Sequence, residues 1–165
     1  MVLDLLVRAV TDERELKKLR GFLLSQALWY PDYERWVEQV CLPDIQTQWK
    51  TAFVAYSNGH VVGDIIFQPH KQLPQTREIK NIRIHPRWRR RDLAHFLLRQ
   101  VEETDPHSFA RIMVDADTRV TTMINFLTVT GYRALFTTAL YSQHNQDTVF
   151  AKEFPAPRPY EGILR

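Results

Sequence analysis

The densest chemistry in the chain lies between Glu78 and Gln100, EIKNIRIHPRWRRRDLAHFLLRQ. Arg83, Arg87, Arg89, Arg90 and Arg91 fall within one short span. Guanidinium groups bind phosphate oxygens bidentately, so such a run suits an anionic ligand. Ahead of it, Ile79, Ile82 and Ile84 make the apolar side of a strand. Pro86 ends that strand, because proline donates no ladder hydrogen bond and restricts the residue before it. Behind it, Leu93, Ala94, Phe96, Leu97 and Leu98 form an apolar stripe at helical spacing. A strand entering a basic turn at a helix N-terminus is built to hold phosphates. The first N–H groups of a helix lack intrahelical partners, and the helix dipole favours anions there. The same arginine run, Arg83 to Arg91, is also a candidate RNA-binding patch, although Trp88 is the one aromatic interleaved with it. His85, a possible acid–base side chain by type, follows the strand as a turn residue. No His/Cys/Asp/Glu spacing suggests a metal, and no Ser/His/Asp or Cys/His arrangement can be argued.

The stretch resembles motif A of the GNAT N-acetyltransferases, in which a strand ending near a proline leads into Arg/Gln-x-x-Gly-x-Gly/Ala. The six positions here are Arg89, Arg90, Arg91, Asp92, Leu93 and Ala94. The opening Arg and the closing Ala match, and Asp92 stands at the middle glycine, where its plain structural role is a helix cap. The resemblance implies acetyl-CoA as co-substrate, with this loop around its pyrophosphate. It also implies direct transfer of the acetyl group to a primary amine, whether of a small molecule, a protein or a charged tRNA. Backbone N–H groups around Ile82, Arg83 and Ile84 would steady the oxyanion. Glu78, at the start of the same strand, takes the place of a general base, with a surface glutamate between Arg77 and Lys80 as the alternative. Asp115, ending the next strand, faces the mouth of the implied cleft as a binder of a cationic substrate or a cap of the following turn. Trp29 and Tyr30, with Tyr33 and Trp36, fall where the family builds its acceptor pocket, and they equally suit a core cluster. The run Phe126-Leu127-Thr128-Val129-Thr130-Gly131-Tyr132 carries Leu127 where the family often has a tyrosine acid, and Val120 stands near a usual asparagine. Tyr132 and Tyr141 are the nearest other phenols. Asp92 and Leu127 leave open a second reading, an acetyl-CoA-binding protein with little or no turnover.

These residues must be positioned by elements that the apolar spacing marks out in order. Leu3 to Val10 is a strand, and Thr11 caps a helix with Leu16, Leu19, Phe22 and Leu23 on its buried face. A second helix runs from Asp32 with Tyr33, Trp36, Val37 and Val40 inward, and stops before Pro43. Lys50 to Tyr56 and Val61 to Phe67 form a hairpin through Asn58-Gly59, both of which tolerate positive φ. After the organising strand and helix, Phe109 to Asp115 is a strand and Val120 to Thr130 a helix closed by Gly131 as a left-handed cap. Tyr132 to Ser142 and Thr148 to Phe154 pair through residues 144–147. Periodicity yields an α+β fold. The resemblance implies the order β-α-α-β-β-β-α-β-α-β-β and a mixed, mostly antiparallel sheet with flanking helices.

With 165 residues, one domain over 1–154 is expected, followed by an irregular Pro-rich tail over 155–165. The formal charge of +3 permits an acidic partner without requiring one. The single cysteine, Cys41, excludes an internal disulfide framework. No apolar run approaches a membrane span, so the expected location is cytoplasmic. A homodimer is compatible with the sequence.

Overall fold

The computed structural model describes residues 4–26 and 28–155. Leu3 of the first expected strand and the tail after Pro155 lie outside them. The expected element order is observed. It comprises β1 (Leu5–Ala9), α1 (Glu13–Ser25), α2 (Tyr33–Trp36), a π-turn (Val37–Cys41), α3 (Leu42–Gln46), β2 (Thr51–Ser57), β3 (His60–Pro69) and β4 (Thr76–Ile84). Then follow α4 (Leu93–Glu103), β5 (Arg111–Asp117), α5 (Thr121–Val129), β6 (Arg133–Ser142) and β7 (Asn145–Glu153). One seven-stranded sheet runs β1-β2-β3-β4-β5-β7-β6, with only β4 and β5 parallel.

Each face of the sheet carries its own core. Ile65, Phe67, Ile79 and Ile112 pack beneath Leu97 and Val101 of α4 and Leu127 of α5. Val54 and Ile66, on the opposite face, pack beneath Leu16, Leu19 and Leu23 of α1 and Tyr33, Val37 and Cys41. Arg77 ties the start of β4 to the end of α4, donating to the carbonyls of Val101 (2.6 Å) and Thr104 (2.7 Å) that the helix leaves unpaired.

Several boundaries differ from expectation for local reasons. Asp12, not Thr11, is the cap of α1. Its side chain accepts from the Glu15 N–H, while Glu15 reaches back to the Thr11 N–H at 2.9 Å, so a reciprocal box forms one residue later. Pro43 does not stop the second helix. The π-turn ahead of it shifts the hydrogen-bond register, so Pro43 falls in a first turn, where no N–H is required. The inserted residue also rotates the buried face onto Cys41 and leaves Val40 exposed. Asp147 was expected in a turn but belongs to β7. Asp147, Val149 and Ala151 alternate inward, so the strand continues and a carboxylate is buried at the β5–β7 ladder.

Two features of β4 shape everything nearby. Lys80 is an extra residue against β3, whose Ile66 and Phe67 pair with Asn81 and Ile79. The pairing of β4 with β5 ends at Ile79–Val114, so the two strands diverge beyond it. Beside the bulge lies Asp64 of β3, fully buried. Its Oδ2 accepts from the Asn81 amide at 2.7 Å and its Oδ1 has no partner. Desolvation pushes this carboxyl up to about 7, against the pull of Asn81 and Arg83.

A raised folded pKa means that the native state holds the proton more tightly than the unfolded chain does. The cost of burying Asp64 is therefore absent below about pH 4, grows as pH rises, and is complete above about pH 7, at roughly 4 kcal/mol. Asp64→Asn should be more stable than wild type at pH 8 and lose that advantage by pH 4. Chemical denaturation across this range checks it, and a constant difference would contradict the assignment.

Candidate functional site

Where β4 and β5 part, a cleft of about 300 Å³ opens. Its lining comes from both faces of the sheet. Ile79, Ile82, Val114, Ala116, Val120 and Met123 make an apolar half toward α4 and α5. Asn81, Arg83, Asp115, Asp117, Tyr30, Tyr33 and Tyr141 belong to a polar and aromatic half on the α1–α2 side. The cleft thus passes through the sheet, apolar at one mouth and polar at the other.

On the polar side each carboxylate has a designated partner. Tyr141 donates to Asp115 Oδ2 at 3.0 Å, and Arg119 grips Asp117 with both Nε and an Nη. Tyr30 donates to Asp147 Oδ1 at 3.4 Å, leaving Oδ2 of that buried carboxylate without a partner. Trp29 stacks on Tyr30 (4.4 Å between centroids), and the Arg119 guanidinium lies over Trp29 at 4.5 Å. Burial pushes the Asp115 carboxyl up, Lys80 and the Tyr141 hydroxyl pull it back, and Glu78 adds to the rise. Asp117 is held down by Arg119. Burial beside carboxylates raises the phenols of Tyr30 and Tyr141, so both stay protonated. Arg83 turns inward, 8% exposed, with its guanidinium donating to the Tyr33 hydroxyl at 3.3 Å. Tyr33 in turn donates to the Leu23 carbonyl, which links β4, α2 and the end of α1.

Glu78 lies one residue before the end of the β4–β5 ladder, opposite Met113. Its Oε1 accepts from Lys80 (2.9 Å) and its Oε2 from Gln68 (3.1 Å). Lys80, rather than Glu78, lines the cleft. Tyr132 donates to Glu102, away from the cleft, whereas Tyr141 borders it. Leu127 is 1% exposed in the α5 core, and Val120 lies at the apolar mouth. His85 accepts from the Arg87 N–H and caps the turn.

The basic loop follows β4 directly. Arg90 (φ 60°) and Asp92 (φ 57°) are both left-handed, which turns the chain sharply into α4. Asp92 does not cap with its side chain. The carboxylate is 98% exposed and lies 3.9 Å from His95, while the Asp92 carbonyl accepts from Phe96. Arg89 donates to the Ile84 carbonyl at 3.3 Å, and Arg91 lies over Trp88. With Arg83 buried, the arginines do not form one continuous face. The first-turn N–H groups of α4, from Leu93 and Ala94 onward, lack intrahelical acceptors and sit behind exposed Arg90 and Arg91.

Sequence reasoning missed Asn81, Asp64, Asp117, Arg119 and Asp147. The one signal available was a lone polar residue in an apolar strand, as in VVGDIIF and IKNIRI. Among the described residues, no group of three or more His, Cys, Asp or Glu could hold a metal, and no helix is long and apolar enough to cross a membrane.

Residues 23–132, two thirds of the chain, match the Acetyltransferase (GNAT) family. None of the curated proteins compared with the chain matches it. Among solved structures, an acetyltransferase of the GNAT family from Streptococcus pneumoniae superposes with a TM-score of 0.74 at 15% identity, covering 92% of this chain and 99% of that one. The ribosomal-protein-S18-alanine N-acetyltransferase of Escherichia coli gives 0.74 at 14% identity, covering 96% and 99%. A chain of a NatC complex bound to Gag peptide and CoA gives 0.74 at 12%, covering 93% and 100%. At these identities the likeness is one of fold.

The loop and α5 generate two predictions. A left-handed alanine is strained by roughly 1 kcal/mol or more, so Asp92→Ala should lower stability by about that amount while Asp92→Gly holds it. Because the Asp92 carboxylate points to solvent, removing it should tighten acetyl-CoA by at most about 0.5 kcal/mol at physiological salt. Melting curves and calorimetry on the two variants check both parts. Leu127→Tyr should cost about 1–3 kcal/mol by overpacking, since the ring would enter the core and not the cleft. A melting temperature equal to wild type would show that the position opens onto the site.

Proposed function

Because the chain belongs to the Acetyltransferase (GNAT) family, we propose that its acceptor is a primary amine, acetylated directly in the cleft between β4 and β5. Acetyl transfer with acetyl-CoA as co-substrate is the family's chemistry. The observation that carries the finer reading is the two-sided lining, with an apolar half toward α4 and α5 and a polar aromatic half opposite.

The parts fit acetyl-CoA. Leu93 and Ala94 N–H groups, with Arg89, Arg90 and Arg91, would hold its pyrophosphate. The β5-facing edge of Ile82, Arg83 and Ile84 has no strand partner beyond Ile79, which leaves backbone groups open along the gap. When bound, acetyl-CoA supplies the acetyl thioester. The protein's own work is on the amine. Asp115 lines the polar half and carries a carboxyl raised by burial, so it suits an incoming ammonium and can take its proton. Tyr141 fixes the Asp115 carboxylate by donating to one oxygen and leaves the other for the amine. Glu78, the expectation from sequence, has both oxygens engaged and acts on the site through Lys80. Tyr30, Tyr33 and Tyr141 border the cleft, and each already donates its hydroxyl to a protein acceptor. With leucine at position 127, the leaving thiolate receives no dedicated phenol, and a thiol of pKa near 8.5 departs acceptably without one.

Thiol release from acetyl-CoA over a panel of primary amines tests the reading. Asp115→Asn should lower amine turnover by about 100-fold, a typical general-base loss, while the melting shift given by acetyl-CoA persists. Glu78→Gln should lower it less, and a larger loss in Glu78→Gln would transfer the base to that residue. Arg89→Ala should weaken acetyl-CoA by about tenfold. Binding without thiol release on any amine would favour the acetyl-CoA-binding reading, toward which Leu127 points.

A further inference from the structure

Asn81 follows the bulge at Lys80 and lies on the α1–α2 face of β4, in the wall of the cleft. Its Nδ2 donates to Asp64 Oδ2 at 2.7 Å. Above about pH 7 Asp64 is a carboxylate, which only accepts hydrogen bonds. The Asn81 amide must therefore turn its NH2 toward Asp64 and its carbonyl Oδ1 away. That oxygen is not among the buried atoms that lack a partner, and the Asp64 contact is the one hydrogen bond that the side chain makes. Asn81 and Asp115 of β5 both line the cleft, and Oδ1 is the polar atom that Asn81 has left to present to it. A neutral carbonyl complements a carboxylate here. It holds an N–H of the amine both before and after the proton leaves, and so keeps the nitrogen lone pair oriented through the transfer.

The surroundings narrow the body that carries the amine. Asp115, Asp117 and Asp147 are engaged by Tyr141, Arg119 and Tyr30, and Lys80 and Arg83 also border the cleft. The charged side chains that line the cleft balance two against two, Lys80 and Arg83 against Asp115 and Asp117, so the lining carries no net negative charge to draw a second cation. The remaining wall is aromatic, formed by Trp29, Tyr30, Tyr33 and Trp36. We propose that Asn81 receives an N–H of the acceptor through its side-chain carbonyl, that Asp64 is the positioning residue behind it, and that the amine is borne on an uncharged aromatic or apolar body. This rests on the amine-acetylation reading above.

The test uses the full chain at pH 8 with CoA present, and phenethylamine and 1,4-diaminobutane as probes in calorimetry. Phenethylamine should bind about tenfold more tightly than the diamine, and Asn81→Leu should weaken it by about tenfold while leaving the acetyl-CoA melting shift intact. Asp64→Asn, nearly isosteric, can face Asn81 with either end of its own amide. It should weaken phenethylamine by about threefold and reduce the separation of the two Asn81 side-chain NH signals in a ¹⁵N spectrum. If Asn81→Leu does not fold, the double variant Asp64→Leu/Asn81→Leu removes both polar groups together and should show the same loss. Wild-type affinity in Asn81→Leu or the double variant overturns the contact, an unchanged Asn81 spectrum in Asp64→Asn overturns the positioning role, and diamine binding as tight as phenethylamine overturns the uncharged body. If acetyl-CoA fails to raise the wild-type melting temperature, the underlying reading falls. If acetyl-CoA binds and phenethylamine does not, this inference alone falls.

Discussion

The loss of pairing between β4 and β5 after Ile79–Val114 is the constraint on which the rest of the structure depends. A parallel pair buried between helices would ordinarily continue its ladder, because buried backbone groups left unpaired are costly. The extra residue at Lys80 offers a local cause. It keeps Asn81 to Ile84 in register with β3 while adding twist, so β4 stays attached on one side and leans away on the other. β5 is held to β7 over its whole length and cannot follow. The gap is therefore framed by two well-paired strands, and its width is set by ladders outside it.

Polar residues that would be penalised in a closed sheet become tolerable beside such a gap. Asp64 with Asn81, and Arg83 with Tyr33 and the end of α1, form two buried pairs whose charges feel one another, with a single carboxylate oxygen unsatisfied. An apolar set of the same volume would be more stable. The cluster holds side chains in fixed orientations at the cleft wall, and its cost is borne by two apolar cores, one on each face. Arg77, pinned beneath Phe109 and against the end of α4, anchors the base of the same strand, so β4 is firm below the divergence and open above it.

The order of elements was legible because period-2 and period-3.6 patterns are local. The Asn58-Gly59 turn and the left-handed Gly131 are likewise fixed by one residue's backbone preference. The π-turn was hidden, since an inserted residue leaves no mark in composition, and Val40 and Pro43 were misplaced with it. In the sequence Asp147 reads as a turn residue, because a buried carboxylate looks like a loop residue until its strand partner, Asp117, is known. The basic loop is legible in its arginines, but not the left-handed backbone that makes Asp92 a tolerable stand-in for glycine. Asp64 and Asn81 meet only through the β3–β4 register, and a bulge alters that register by one residue. Pairings of this kind are decided across strands and cannot be read along one.

The sheet has two kinds of open edge, and they differ in what can use them. At its margin, β6 exposes Leu135, Phe136 and Leu140, but irregularities between Ala134 and Phe136 and between Thr138 and Ser142 break the even spacing that another strand would need. The interior edge of β4 from Asn81 to Ile84 is regular against β3 yet lies inside the sheet, facing β5 across the cleft. Its place inside the sheet, with Lys80 and Arg83 on the strand itself, guards these unpaired groups from the edge-to-edge pairing that an outer strand invites.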